Sequence, residues 1–214
     1  AILFGFLLLP GLVHAAPSYS PFGPQNNVAF STVLSGGWTE CFSEPYGTFG
    51  TSLSGLQSQR SGDLIMFAGA ANGSTNIQVL AWAPRADVFF PTSDCSNQVH
   101  NANGSDWYFN QSCSMGFAPE GFGIAQNSAD TGSAPGWGFQ PGDSGEQRLS
   151  WHTGNGMLNG GWRVGNVTLL NSEPSDYTRY IFQADANGVP EPTSMALVGL
   201  ALAAFVATRR RQAA

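Results

Sequence analysis

Apolar, β-branched and aromatic residues recur along the middle of the chain in short runs, and clusters of Gly, Pro, Asn and Ser separate one run from the next. No long stretch keeps the 3.6-residue period of an amphipathic helix, so the pattern favours strands joined by turns. The predicted strands are VAFSTVL (28–34), GWTECFS (37–43), DLIMFAGA (63–70), NIQVLAWAP (76–84), DVFF (87–90), DWYFN (106–110), MGFAP (115–119), RLSWHT (148–153), GWRVG (161–165) and RYIFQA (179–184).

These runs favour an all-β domain in which two sheets pack as a β-sandwich or jelly roll of about eight to ten strands. The 27 glycines and 13 prolines of the chain argue against long helices. Residues 121–146 are rich in Gly and Ser, and we expect them to form the largest loop. The runs contain no internal repeat.

The chain begins with an apolar run over residues 1–15 that Pro10-Gly11 interrupts. This run ends in Val13-His14-Ala15, the small-x-small pattern at which signal peptidase cleaves. We therefore predict a signal peptide over residues 1–15 and an exported domain over residues 16–188. Because neither a Met nor a basic residue precedes Ala1, we expect the start of this signal peptide to be missing from the sequence.

Residues 193–208 form an uncharged and mainly apolar stretch near the other end of the chain. At roughly 1.5 Å per residue, a helix of this length spans about 24 Å, less than the ~30 Å hydrocarbon core of a bilayer. Snorkelling arginines offset part of that difference, and three follow directly: Arg209, Arg210 and Arg211. By the positive-inside rule, this cluster places the C-terminus in the cytoplasm and the domain outside. The stretch predicts a single transmembrane helix.

The tripeptide Pro190-Glu191-Pro192 precedes this predicted helix. The order of the tripeptide, the short apolar helix and the Arg-rich end, over residues 189–212, resembles the PEP-CTERM sorting signal of Gram-negative bacteria. The resemblance implies that an exosortase, a membrane-embedded cysteine protease-transpeptidase, recognises the signal. It also implies export through the inner membrane, anchoring by the C-terminal helix, and processing that leaves the protein at the cell surface or outside the cell. Proteins of this kind are associated with exopolysaccharide and biofilm matrix.

The folded part carries a further resemblance. AWAPRADV, HNANGSDWYFN, MGFAPEGF, RLSWHT and GWRVG followed by LLN resemble an uncharacterised exported domain that is often found ahead of PEP-CTERM tails. Members of that family often have cysteines near the positions of Arg60 and Ala129, and this chain has none there. No disulfide pattern is therefore transferred from the family.

Charge narrows the choice of partners. Only 10% of residues are charged and 42% are hydrophobic, so the chain has enough apolar material for a core. The net charge is -6 and lysine is absent. Three of the eight arginines lie in the tail, which leaves five arginines against thirteen of the fourteen carboxylates before residue 186. An acidic domain of this kind repels nucleic acid and anionic lipid, and we exclude both as its partners.

The three cysteines, Cys41, Cys95 and Cys113, all lie in the predicted exported domain. An oxidising compartment permits a disulfide. We predict a Cys95–Cys113 disulfide, which closes a loop of modest length around the Asn-rich stretch. Cys41 is then a buried thiol, and nothing nearby in the sequence activates it as a nucleophile.

The stretch Gly142-Asp143-Ser144-Gly145 matches the nucleophile region of trypsin-like proteases. Such a site also needs a histidine base and a buried aspartate, and neither His100 nor His152 lies in the Ala-Ala-His-Cys context of those enzymes. We interpret Ser144 as a turn residue. A glycoside hydrolase would need two carboxylates across a cleft, and the scattered acidic residues single out no pair. We therefore predict no catalytic residue and keep a hydrolase as the third alternative.

The stretch HNANGSD places four side chains with ligating atoms, His100, Asn101, Asn103 and Asp106, in one loop around Gly104. Calcium takes oxygen ligands of this sort. An Asx-rich turn explains the same residues without a metal. We predict no metal and no cofactor.

The chain has six Trp and 15 Phe. Trp38, Trp137 and Trp162 each follow a Gly at the edge of a run, where an exposed ring could stack on a sugar, so they are candidate carbohydrate contacts. The alternative is that most Trp rings fill the core. We expect core positions for three that alternate with polar neighbours: Trp82, Trp107 and Trp151.

Two classes of function remain for the folded part. One is a structural protein of the cell surface or extracellular matrix, and the other is a carbohydrate-binding module. Saturable retention on exopolysaccharide, lost when Trp137 is replaced, would distinguish the second class from the first.

Overall fold

The structure is a computed structural model that describes residues 16–58, 61–124, 130, 145–168, 170 and 175–186. All of its strands belong to one compact unit, Pro17–Ala186. The predicted signal peptide (1–15), the sorting signal (189–212) with its helix (193–208), and most of the predicted large loop (121–146) lie outside the described residues.

Five antiparallel strands form the first sheet. They are Gln25–Ala29 (β1), Thr39–Pro45 (β2), Leu64–Ala71 (β4), Asn76–Pro84 (β5) and Tyr177–Ala184 (β12). Their order across the sheet is β1-β5-β4-β12-β2. The central strand β4 has the sequence LIMFAGAA and is buried along almost its whole length. Such a continuous apolar run is what a strand needs when both of its faces are covered.

Seven antiparallel strands form the second sheet. They are Thr51–Ser52 (β3), His100–Ala102 (β6), Ser105–Phe109 (β7), Ser114–Pro119 (β8), Leu149–Gly154 (β9), Met157–Val164 (β10) and Val167–Thr168 (β11). Six of them lie in the order β11-β10-β9-β8-β7-β6, and β3 pairs with β10. The described residues thus contain twelve strands, against the eight to ten predicted. Two of the twelve, β3 and β11, are only two residues long.

Asn-Gly pairs form two of the hairpin turns in this sheet. Asn103-Gly104 connects β6 to β7, and Asn155-Gly156 connects β9 to β10. All four residues have positive φ angles between 47° and 73°. A two-residue turn of this conformation matches the twist of the flanking strands, and Asn and Gly tolerate it best. The HNANGSD stretch is therefore a hairpin.

The main hydrophobic core lies between the two sheets. The first sheet contributes Phe67 and Ile181, and the second contributes Trp107 and Trp151, all with no exposed surface. The Phe67 ring centroid lies 4.6 Å from that of Trp151 and 5.7 Å from that of Trp107. Aromatic side chains from both sheets thus interlock, as in a sandwich. The all-β prediction is confirmed for the described domain.

A smaller core covers the outer face of the first sheet. Helix α1 (Phe30–Ser35) packs there through Val33, and the preceding N-terminal segment contributes Tyr19. The outer-face residues of the sheet in this core are Leu64, Met66, Ala68, Ile77, Leu80, Phe182 and Ala184. This cover explains why the first sheet is apolar on both faces.

The structure corrects two of the predicted strands. Residues 30–34 belong to α1, and residues 87–88 to a short helix α3 (Arg85–Val88). Among the strands that the structure describes, β1 pairs only with β5, and the pairing ends at Ala29 opposite Asn76, where β5 begins. The chain then turns into a helix, and its i, i+3 spacing directs Phe30 and Val33 to the same face. A second helix, α2 (Leu53–Ser58), was also not predicted.

A buried ion pair joins two neighbouring strands of the first sheet, β12 and β2. Arg179 of β12 has no exposed side-chain surface, and its guanidinium donates to the Glu44 carboxylate at 2.5 and 3.0 Å. It also donates to the carbonyl oxygens of Thr48 (2.8 Å) and Asn159 (2.7 Å). Because its donors have these acceptors, the buried charge is compensated rather than isolated. The contact to Asn159 links β12 to β10 of the other sheet.

Candidate functional site

The three Trp residues that are candidate carbohydrate contacts differ in what the structure shows of them. Trp38 is only 2% exposed, packs in the smaller core and donates from its indole nitrogen to the carbonyl oxygen of Tyr19 at 2.7 Å. It offers no face to a sugar ring, and we remove it from the candidates. Trp137 lies outside the described residues. Trp162 is partly buried on β10 and remains a candidate.

The Trp residues expected in the core are buried to different extents. Trp107 and Trp151 have no exposed surface and belong to the main core. Trp82 is only partly buried, packs against the smaller core, and donates to the carbonyl oxygen of Pro21 at 2.7 Å.

Trp162 on β10 lies against His152 on β9, and Phe49 lies against β10 at Gly160, two residues before Trp162; we call these three residues the aromatic surface. The Trp162 and His152 rings lie 4.9 Å apart at 47°, and the Phe49 side chain is 62% exposed. Gly160, two residues before Trp162, makes room for Phe49, since a Cβ atom at that position would come within 2.8 Å of the phenyl ring. Gly160 therefore allows an exposed aromatic ring to lie against β10.

The Trp162 side chain presents its ring rather than its N–H group on this surface. Its indole nitrogen is buried and makes no hydrogen bond to any part of the chain that the structure describes. A ligand at the aromatic surface would consequently be held by stacking. Hydrogen-bonding groups would have to come from neighbouring residues.

His152 adds no positive charge to the aromatic surface at neutral pH. Burial lowers the pKa of His152 below its usual 6.5, and the charge of Arg179 lowers it further, against a hydrogen bond to the Gly160 backbone that raises it. A neutral imidazole and two uncharged aromatic rings suit a ligand without charge.

Phe49 was not predicted as a functional residue. The only sequence signal was its position between Thr48 and Gly50 in a Gly-rich loop, and nothing local indicates that its ring stays exposed.

The loop weighed as a calcium site is held by its own hydrogen bonds. Asn103 donates to the carbonyl oxygens of Pro21 (3.1 Å) and Trp82 (3.0 Å). The Asp106 carboxylate accepts from the Gly121 N–H at 2.9 Å, and His100 lies 2.6 Å from Asp87. No group of three or more His, Cys, Asp or Glu side chains suited to a metal occurs among the described residues.

The predicted Cys95–Cys113 disulfide is present. The two Cα atoms lie 5.4 Å apart, so the bond joins the loop ahead of β6 to the residue that precedes β8. The third cysteine, Cys41, is partly buried on β2, and its thiol donates to the carbonyl oxygen of Ile181 at 3.3 Å.

Other predicted residues fall outside the part of the chain that the structure covers. These are the sorting residues Pro190, Glu191 and Pro192, the cluster Arg209, Arg210 and Arg211, and Ser144. Gly145, which follows Ser144, begins a 3-10 turn, Gly145–Gln147. Among the residues described, no helix is long and apolar enough to cross a membrane.

Comparison with known proteins identifies the C-terminal tail. The family model for the PEP-CTERM protein-sorting motif matches residues 188–211. No curated protein and no solved structure gives a significant match to the chain. The chain thus carries a PEP-CTERM sorting motif, and this motif supports an exported protein whose sorting partner is an exosortase.

Proposed function

We propose that this protein is an exosortase-sorted protein of a Gram-negative bacterium that becomes a structural component of the cell surface or extracellular matrix, in association with exopolysaccharide. The match of the sorting motif to residues 188–211 carries this proposal. Signal peptidase removes residues 1–15, and the helix over residues 193–208 holds the domain in the inner membrane. Processing near Pro190-Glu191-Pro192 then transfers or releases it.

Two features of the folded domain support its export from the cytoplasm. Its disulfide is of the kind that persists in oxidising compartments. The Arg179 bond to the Asn159 carbonyl and the Phe67–Trp151 ring contact connect the two sheets, and such buried contacts are screened by salt much less than surface charges are. The proposal is non-enzymatic.

The sorting proposal is tested in the native host with its exosortase gene deleted. Wild-type cells should contain a shortened form at the surface or in the medium, and the deletion strain should accumulate the full-tail form in the inner membrane. Intact mass and membrane fractionation measure both. An unchanged mass and distribution in the deletion strain would refute the role of the exosortase.

The aromatic surface favours a second candidate function, carbohydrate binding. Phe49 is 62% exposed and lies against Gly160 of β10, two residues before Trp162, whose ring contacts the neutral His152; contiguous exposed apolar surface of this kind favours a binding site. Retention on exopolysaccharide purified from the host should saturate, and Phe49→Ala or Trp162→Ala should abolish it. Phe22→Ala is the matched control, because Phe22 is 74% exposed and packs on Gly104 in the β6–β7 turn, three strands away from β10. Non-saturable retention that all three variants share would leave only the structural role.

A further inference from the structure

A polar groove lies where the edge of the first sheet meets the β10–β11 turn. Its volume is about 350 Å³, within the range of roughly 300–1,000 Å³ that is usual for small-ligand sites. The residues that line this amide groove are Asn26, Asn27, Ala71, Ser74, Asn76, Gln78, Glu146 and Asn166. Five of these eight side chains are amides, and none is aromatic or positively charged.

Internal hydrogen bonds fix the orientation of the amides. The Asn26 side-chain amide nitrogen donates to the carbonyl oxygens of Gln78 (3.2 Å) and Glu146 (2.5 Å). The Gln78 amide nitrogen donates to the carbonyl oxygen of Val164 at 3.0 Å. The Asn76 amide nitrogen donates to Oδ1 of Asn27 at 2.8 Å. The lining is thus preorganised, which reduces the entropy cost of binding.

These bonds decide what the groove offers to a ligand. Both N–H hydrogens of the Asn26 amide are used in these bonds, and one each of the Asn76 and Gln78 amides. The amide oxygens of all three residues are left as acceptors, and Asn76 and Gln78 each keep a second N–H that can donate. The Asn27 side chain instead accepts a hydrogen bond through its amide oxygen, which leaves its N–H₂ group to donate. The exposed Glu146 adds a carboxylate. The groove therefore presents both amide acceptors and amide donors, together with one carboxylate and no cation.

We propose that the amide groove binds a neutral, hydroxyl-rich saccharide segment. Sugar hydroxyls supply the donors that the fixed amide oxygens need, and the Asn27 amide can donate to a ring or hydroxyl oxygen. An acidic polymer would meet Glu146 without any lining cation to bind it. Calcium is a poorer fit, since it takes six to eight oxygen ligands that usually include several carboxylates. This inference rests on the proposed association with exopolysaccharide and specifies the polymer as neutral.

Nuclear magnetic resonance tests the groove directly, because the side-chain amides give their own signals. Full-length ¹⁵N-labelled protein in detergent micelles is titrated with cellopentaose and with mannopentaose. The side-chain amide signals of the groove should shift saturably with at least one of them. Asn76→Ala should weaken that binding at least tenfold. Asn166→Ala alters an exposed side chain and should weaken saccharide binding at least threefold. This second variant keeps the proposal testable if Asn76→Ala fails to fold.

Gln111→Ala removes an exposed amide in the β7–β8 turn and serves as the matched control, with binding unchanged. Shifts confined to the aromatic surface, or no shifts with either sugar, would overturn the groove site and leave exosortase sorting intact. Binding of a cationic chitosan pentamer alone would also overturn it, because Glu146 would then be the main attraction. Failure of the exosortase-deletion experiment would instead affect only the proposed function, since the titration does not depend on sorting.

Discussion

The indole N–H of Trp151 donates a hydrogen bond to the phenolic oxygen of Tyr46 at 3.0 Å, in the core between the two sheets. The Tyr46 hydroxyl in turn donates to the carbonyl oxygen of Arg163 at 3.1 Å. Burial raises the pKa of Tyr46, so the hydroxyl keeps its proton and remains a donor. The Tyr46 main chain bonds to Tyr177 of the first sheet and Gly161 of the second. Tyr46 therefore connects the sheets through both its backbone and its side chain.

Tyr46→Phe should lower the free energy of unfolding by about 1–3 kcal/mol, because it leaves the buried Trp151 N–H and the Arg163 carbonyl oxygen without this partner. Urea unfolding measures the change. Tyr19→Phe, at a partly buried position, is the control and should change stability by less than about 0.5 kcal/mol. Equal stability of wild type and Tyr46→Phe would show that the hydrogen-bond relay contributes nothing net.

The disulfide should stabilise the domain by about 3 kcal/mol, because it closes a loop of 18 residues in the unfolded chain. The double variant Cys95→Ala/Cys113→Ala should show this loss in a denaturant titration. Non-reducing peptide mapping of wild type should recover the two cysteines in one linked pair of peptides. Cys41→Ala should leave that pair intact, and a map in which Cys41 is linked to either cysteine would contradict the pairing.

His152 should make stability depend on pH near neutrality. Burial depresses its pKa in the folded state below 6.5, so the unfolded chain binds the proton more readily. The stabilising contribution of His152 to the free energy of unfolding is therefore fully present above about pH 6.5. It is lost as the pH falls through the lower pKa of the folded state. The melting temperature of wild type should fall between about pH 7.5 and about pH 5, and that of His152→Gln should change less. This interval lies above the pKa of ordinary carboxylates, about 4, so their titration interferes little. A His152 pKa of 6.5 or above, by proton NMR, would contradict this expectation.

Glu191→Ala should block processing of the tail and leave membrane insertion unchanged. Insertion depends on the apolar stretch over residues 193–208 and on the three arginines that follow it, whereas Glu191 belongs to the sorting tripeptide. The variant should therefore remain at full mass in the inner membrane. Glu173→Ala replaces a carboxylate ahead of the tail and is the matched control. Wild-type protein found only at full tail length in that membrane would mean that the tail acts as a permanent anchor.

Features that depend on a continuous stretch of chain could be predicted from the sequence. The sorting motif is recognised as a linear signal, so Pro190-Glu191-Pro192 and the residues after it identify it without a fold. Most strands were also predictable, because runs such as those of β4 and β5 combine β-forming residues with turn residues at their ends. The Cys95–Cys113 pair followed from its short separation and from the predicted compartment.

Features that depend on long-range pairing were decided by the tertiary structure. Phe30 begins a helix where the pairing of β1 with β5 ends, at Ala29 opposite Asn76, and its N–H donates to the carbonyl oxygen of Thr75 in the β4–β5 turn. Trp38 and Phe49 both adjoin a glycine, yet α1 and the N-terminal segment cover the first ring, while the second lies on β10 with its face exposed. The amide groove combines four separate stretches around residues 26, 76, 146 and 166. Local sequence determines which conformation each segment prefers, but burial and ligand geometry depend on which distant segments pack against it.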